Sequence, residues 1–70
     1  MKRGWKVLPF DGKKLQALRT NAGYKQPYVS MHTGIAIESL SRYENCKTVP
    51  SEKNCRRLAE FFGVPVDYFA

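Results

Sequence analysis

Apolar residues in this 70-residue chain fall into short helical registers, with neither strand-like alternation nor long continuous runs. Asp11 is a good N-cap, Leu15 and Leu18 lie three apart on one face, and Gly23 supplies a left-handed residue that ends a helix. The pattern predicts a first helix over residues 12–22. A second, short helix is expected over 26–32. There Pro27 falls in the first turn, where its missing N–H would be unbonded anyway, Val29 and Thr33 face the core, and Gly34 follows. From Ile37 to Asn45 a third helix puts Leu40 and Tyr43 on one face and Glu38, Ser41 and Arg42 on others. Pro50-Ser51 stops the next loop and starts a fourth helix, with Ser51 as N-cap and Glu52 in the first turn, where the helix dipole favours an acid. Cys55, Leu58, Ala59 and Phe62 then follow the i, i+3, i+4, i+7 template up to Gly63. After Pro65, Val66 and Phe69 are three apart, enough for one last helical turn. Periodicity assigns Leu15, Leu18, Val29, Ile35, Leu40, Tyr43, Leu58, Phe62, Val64 and Phe69 to the core.

Two short helices joined by a glycine turn, the second followed by Glu44-Asn45 and a basic loop, have the layout of a helix-turn-helix. Ahead of them, residues 1–10 read as a basic arm containing Lys2, Arg3, Lys6, Trp5 and Pro9, and residues 11–70 as a single domain. Seventy residues give a thin core and few spare positions with which to enclose a catalytic pocket. Twelve Lys and Arg against six Asp and Glu, net +6 with a pI near 9.6, favour a polyanionic partner. Cys46 and Cys55 are too few for a disulfide framework and poorly spaced for zinc, and His32 is the only histidine, so no metal or cofactor is expected. No nucleophile, base and orienting acid occur in a credible arrangement, so no catalytic residue is assigned and the chain is not read as an enzyme. Lys2 and Arg3 precede only a brief, interrupted apolar stretch, and no run approaches the roughly 20 apolar residues of a membrane span. A cytoplasmic protein with both thiols reduced is the expectation.

A wider pattern covers Phe10 to Phe69: Leu-x-x-Leu-Arg (15–19), Gly23, Gln26, Gly34-Ile35, Leu-Ser-Arg-x-Glu-Asn (40–45), Pro50-Ser51 and Leu-Ala-x-x-Phe-Gly-Val (58–64). This ordered set of anchors resembles the phage-repressor or Cro-type helix-turn-helix family, also called Xre-like or lambda-repressor-like. The resemblance implies an all-α, compact five-helix domain that binds a double-stranded DNA operator as a regulator of transcription, often as a homodimer. It places Ile37, Glu38, Ser39 and Arg42 at the base-facing positions of the third helix. Arg42 suits guanine, whose O6 and N7 a guanidinium reaches bidentately, and Ile37 suits a thymine methyl. Glu38 accepts from cytosine N4 or selects against wrong sites. Gln26 falls where the family bonds a phosphate and braces the recognition helix, and Lys25, Tyr28, Asn45, Lys47 and Thr48 flank the same surface as further phosphate contacts. Arg19 and Glu44 match the family's structural ion pair between the first and third helices.

Three departures from the family pattern bear on detail. Lys25 and Ala36 stand where Ser or Thr usually caps the second and third helices, each lost cap being worth about 0.5–2 kcal/mol. Cys46 replaces the glycine that usually follows Glu-Asn, so it must accept a left-handed backbone or redirect the loop. Ser30 replaces a small alanine of the second helix. Two function classes follow. One is a sequence-specific DNA-binding regulator, a repressor in its simplest form, paired through the fourth and fifth helices or the tail with Tyr68 and Phe69. The alternative is a protein-interaction module on the same scaffold, antitoxin-like or anti-repressor-binding, that offers its apolar tail and Tyr24, Tyr28 and Tyr43 to a protein partner. Salt separates them, because operator binding releases counterions and an apolar contact does not.

Overall fold

Four α-helices and a C-terminal 3-10 turn make up the regular structure of residues 10–70, the part of the chain described by this computed structural model. They are α1 (Gly12–Asn21), α2 (Gln26–Thr33), α3 (Ile37–Glu44), α4 (Glu52–Phe62) and the turn Val66–Phe69. The arm residues Lys2, Arg3, Trp5 and Lys6 lie outside the described residues.

Caps set the helix ends. Asp11 Oδ1 accepts from the Lys13 N–H at 2.9 Å, and the Ser51 hydroxyl accepts from the Asn54 N–H at 3.1 Å. Gly34 and Gly63 end α2 and α4 in the left-handed region, at φ 75° and 72°, where a Cβ would be strained. The expected fifth α-helix is instead a four-residue 3-10 turn. Pro65 lacks an N–H and stands just before it, and the closing bonds are of i→i+3 type: Tyr68 N–H to Pro65 C=O at 3.0 Å and Ala70 N–H to Asp67 C=O at 3.1 Å. The domain therefore has four α-helices where the sequence reading expected five.

Leu15, Val29, Ile35, Leu40, Tyr43, Leu58 and Phe69 are buried together, and Cys55 and Ala59 join them from α4. Leu18, Phe62 and Val64 pack against this core from half-buried positions. At about 1.5–3 kcal/mol for each large aliphatic side chain removed from water, this small set carries much of the fold. Burial also raises the Cys55 thiol pKa above the ordinary range by penalising the thiolate. Helix α1 packs on α3 and on the C-terminal turn, while α2 packs on both α3 and α4. Phe10 closes the α1 side, its ring centroid 5.3 Å from Phe69 and 6.2 Å from Tyr43.

One close approach decides how α1 meets α3. A Cβ on Gly12 would fall 1.8 Å from the Tyr43 carbonyl oxygen, so only glycine lets the start of α1 lie against the end of α3. The Asp11 N–H also donates to the Phe69 carbonyl at 2.6 Å, tying the same point to the C-terminal turn.

Candidate nucleic-acid interface

Helix α3 is two turns long, and Leu40 and Tyr43 fasten one side of it into the core. A 3.6-residue period then turns Glu38 and Arg42 outward, while Ile37, at the first position of the helix, lies at the edge of the buried side. All three are exposed, Ile37 at 44%, and Ser39 is half-buried beside them. Ile37 thus leaves part of its aliphatic surface facing solvent. Among the described residues, neither Glu38 nor Arg42 enters an ion pair, although their i, i+4 spacing permits one. Ala36 begins α3 without a side-chain cap, as its type dictates. Glu38 in the first turn and Arg42 in the last each complement the helix dipole at its own end. The Glu38 carboxylate thus has a local structural use as well.

The orientation of α3 is set at its C-terminal end by one buried carboxylate. Arg19 of α1 donates through Nε to Glu44 Oε2 at 2.6 Å and through Nη2 to Glu44 Oε1 at 2.8 Å, a two-point fork. Its remaining Nη1 donates to the Tyr24 carbonyl at 2.8 Å, reaching the turn between α1 and α2. Gln26, the first residue of α2, donates through Nε2 to Glu44 Oε1 at 3.1 Å. Three helices are therefore hydrogen-bonded to or through Glu44, whose side chain is 3% exposed, with Arg19 at 12%. The hydrogen bond to Glu44 raises the Arg19 pKa further above its ordinary value, against the opposing effect of desolvation. Gln26 has spent one amide N–H on this brace and keeps the other N–H and its carbonyl oxygen.

The surrounding positions fall into three groups. Lys25, at the N-cap of α2 with no capping bond from its side chain, is exposed, as are Lys47 and Thr48 after α3. Asn45 is exposed but turns its amide back to the Ser41 hydroxyl at 3.4 Å, a long and therefore weak bond. Tyr28 is 41% exposed and lies in an aromatic strip, its ring centroid 4.7 Å from Tyr24 and 4.3 Å from His32. Cys46 takes the left-handed conformation at φ 59°, so the loop keeps the path a glycine would give it at the cost of strain. This brings Lys47 N–H to the Arg42 carbonyl at 2.9 Å and closes the end of α3.

Two aromatic residues offered to a partner by the sequence reading are not on the surface. Tyr43 is 5% exposed, and its hydroxyl accepts from Asn54 Nδ2 at 3.1 Å; Phe69 is 1% exposed and belongs to the core. Periodicity had already placed both inside, and the structure sustains that assignment over a contact role. The Gly12 approach, the Tyr24 carbonyl and the aromatic strip through His32 and Phe61 were not read from the sequence. The first two depend on backbone positions that no side-chain pattern reports. A Tyr24, Tyr28, His32 spacing of four was the available signal for the third.

A family model described as "Helix-turn-helix domain" matches residues 12–70. A Pyrococcus horikoshii protein named as an HTH-type transcriptional regulatory protein is 41% identical over 64 residues, covering 91% of this chain and 20% of that protein. The SPbeta prophage-derived uncharacterized HTH-type transcriptional regulator YonR of Bacillus subtilis is 32% identical over 57 residues, covering 81% of this chain and 53% of that protein. The chain thus spans about a fifth and about half of the lengths of these two relatives. In fold it is similar to the P22 c2 repressor, whose structure was solved with a synthetic operator. The TM-score is 0.81 at 21% identity, over 87% of this chain and 92% of the repressor chain. With α2 and α3 braced through Glu44 and the outer face of α3 open, this chain belongs to the helix-turn-helix domain family and has the fold of a phage repressor.

Proposed function

We propose that this domain is the DNA-reading part of a transcriptional regulator, a repressor in its simplest form, and that it lays α3 in the major groove of a double-stranded operator. One observation carries the reading: Glu44 anchors α3 by its C-terminal end while Ile37, Glu38 and Arg42 stand exposed without ion-pair partners among the described residues. A rigid helix with open polar and apolar groups is what base readout needs. Arg42 then reads guanine, Ile37 meets a thymine methyl, and Glu38 and Ser39 discriminate among the remaining edges. Lys25, Gln26, Tyr28, Asn45, Lys47 and Thr48 hold phosphates and fix the register. The role is one of binding, without catalysis, in the cytoplasm where the DNA lies. Pairing of two copies on a palindromic site completes the reading. Phe69 is withheld from that interface by its burial, and Tyr68, 40% exposed, remains available.

Selection of bound sequences from a random duplex pool, run with the parent chain and with Arg42→Ala, tests this. The parent is expected to enrich a palindromic motif, and the variant to lose preference at one base per half-site, with about 1–3 kcal/mol less discrimination there. Absence of any enriched motif would overturn sequence-specific reading.

A further inference from the structure

The exposed face of α2 is unusual for so basic a chain. Pro27, Tyr28, Met31 and His32 all face solvent, Met31 at 72%, with no Lys, Arg, Asp or Glu among them. The rings form a continuous strip that crosses from α2 to α4. Tyr24 lies 4.7 Å from Tyr28, Tyr28 4.3 Å from His32, and His32 is stacked on Phe61 at 5.9 Å. Beside the strip an open groove runs between the C-terminal end of α2 and α4, walled by His32, Thr33, Gly34, Arg57, Glu60 and Phe61. Arg57 spans this groove, its Nη1 3.6 Å from where a Gly34 Cβ would stand. A second concavity farther along α4 shares Arg57 and Glu60 with this groove and is lined also by Glu52, Lys53 and Arg56.

Charge selects the occupant. On α4, Glu52 is already bound by Arg56 at 2.6 Å, whereas Lys53 and Arg57 enter no ion pair among the described residues and Glu60 is the acid left beside them. An apolar strip bordered by two unpaired cations and one acid matches an apolar stripe flanked by carboxylates. A second copy of this chain brings the same cations and a net charge of +6 to the contact. Duplex DNA gains little from a thioether and aromatic rings next to Glu60. The groove is walled by the C-terminal end of α2, from His32 to Gly34, whereas the interface already described uses its N-terminal end, from Lys25 to Tyr28, and α3. We propose that the groove between α2 and α4 docks an acidic amphipathic helix of another protein, with its apolar side chains on Met31, His32 and Phe61 and its carboxylates on Arg57 and Lys53. The site operates whether or not α3 reads DNA, so the domain can hold a protein partner and an operator together.

The test titrates the ¹⁵N-labelled full chain with a synthetic helical peptide that carries Leu and Phe at i, i+3, i+4, i+7 and Glu elsewhere, and with its Glu→Lys counterpart. Saturable shifts at Met31, His32, Arg57 and Phe61, absent at Glu38 and Arg42 and absent with the Lys peptide, are expected. Met31→Ala and Arg57→Gln should each weaken the peptide roughly fivefold or more, with the thermal midpoint and duplex binding unchanged. No saturable shift, an equal response to both peptides, shifts centred on α3, or self-association through Met31 in sedimentation would each overturn the proposal. Loss of duplex binding alone would count against the operator reading and leave this one standing.

Discussion

Two backbone positions account for how the end of α3 is built, and each makes a measurable demand. Gly12 is needed for space: a Cβ there meets the Tyr43 carbonyl at 1.8 Å, and backbone cannot swing aside as a flexible side chain can. Gly12→Ala should therefore push α1 away from α3 and cost about 1–3 kcal/mol or more, read as a lower urea midpoint at constant slope. Cys46 presents the opposite case. Its φ of 59° costs about 1–2 kcal/mol for a residue with a Cβ, and glycine returns part of that through the greater freedom of its unfolded chain. Cys46→Gly should accordingly stabilise the domain by about 0.5–1 kcal/mol in the same assay. Asp11 and Ser51 announced their caps in the sequence because a cap is a property of one side chain and its nearest amides. Gly12 did not, since its constraint comes from a carbonyl 31 positions away.

At the scale of elements, the joint among α1, α2 and α3 is a buried charge network in place of a purely apolar seam. Arg19 uses all three guanidinium nitrogens, on Glu44 and on the Tyr24 carbonyl, and Gln26 adds a fourth bond. Removing one partner of such a pair strands the other in a site without water. Glu44→Ala is expected to cost about 3–5 kcal/mol, comparable to the whole stability of a domain this size. Glu44→Gln, which can still accept from Arg19, should cost less. Thermal unfolding of both variants checks the order, and equal losses would mean that the charge, and not the space the side chain fills, accounts for the whole cost. The Arg19 and Glu44 pairing was legible in advance through the family resemblance, and Gln26 as a brace likewise. That Gln26 braces through Glu44 itself required the fold, because its amide reaches the carboxylate only once α2 is set against α3.

For the molecule as a whole, net charge of +6 on 70 residues makes association with a polyanion sensitive to salt. Lys25 and Lys47 are exposed at the two ends of the helix-turn-helix, and the proposed major-groove complex sets both against phosphates. Lys47→Ala should weaken duplex binding about uniformly across sequences and lower the slope of log affinity against log salt by about 1. Fluorescence anisotropy on a labelled duplex at several salt concentrations measures this. A slope equal to that of the parent would remove Lys47 from the phosphate contacts. Among the described residues, no helix is long and apolar enough to cross a membrane.

Positions and types of the four helices and most of the core were legible in the sequence. Each rests on local rules: a 3.6-residue period, a capping side chain, a glycine or proline at a boundary. Tertiary structure decided the rest. It turned the last predicted helix into a 3-10 turn around Phe69, left Leu18, Phe62 and Val64 at the margin of the core, and used Cys55 and Ala59 within it. It also gathered Tyr24, Tyr28, His32 and Phe61, from two separate stretches of chain, into one strip that is half-buried at Tyr24 and Phe61 and exposed at Tyr28 and His32. Periodicity states which side of a helix is apolar; how deeply each residue sinks, and which exposed groups become neighbours, is settled only when the helices pack and the close approaches between their backbones are made.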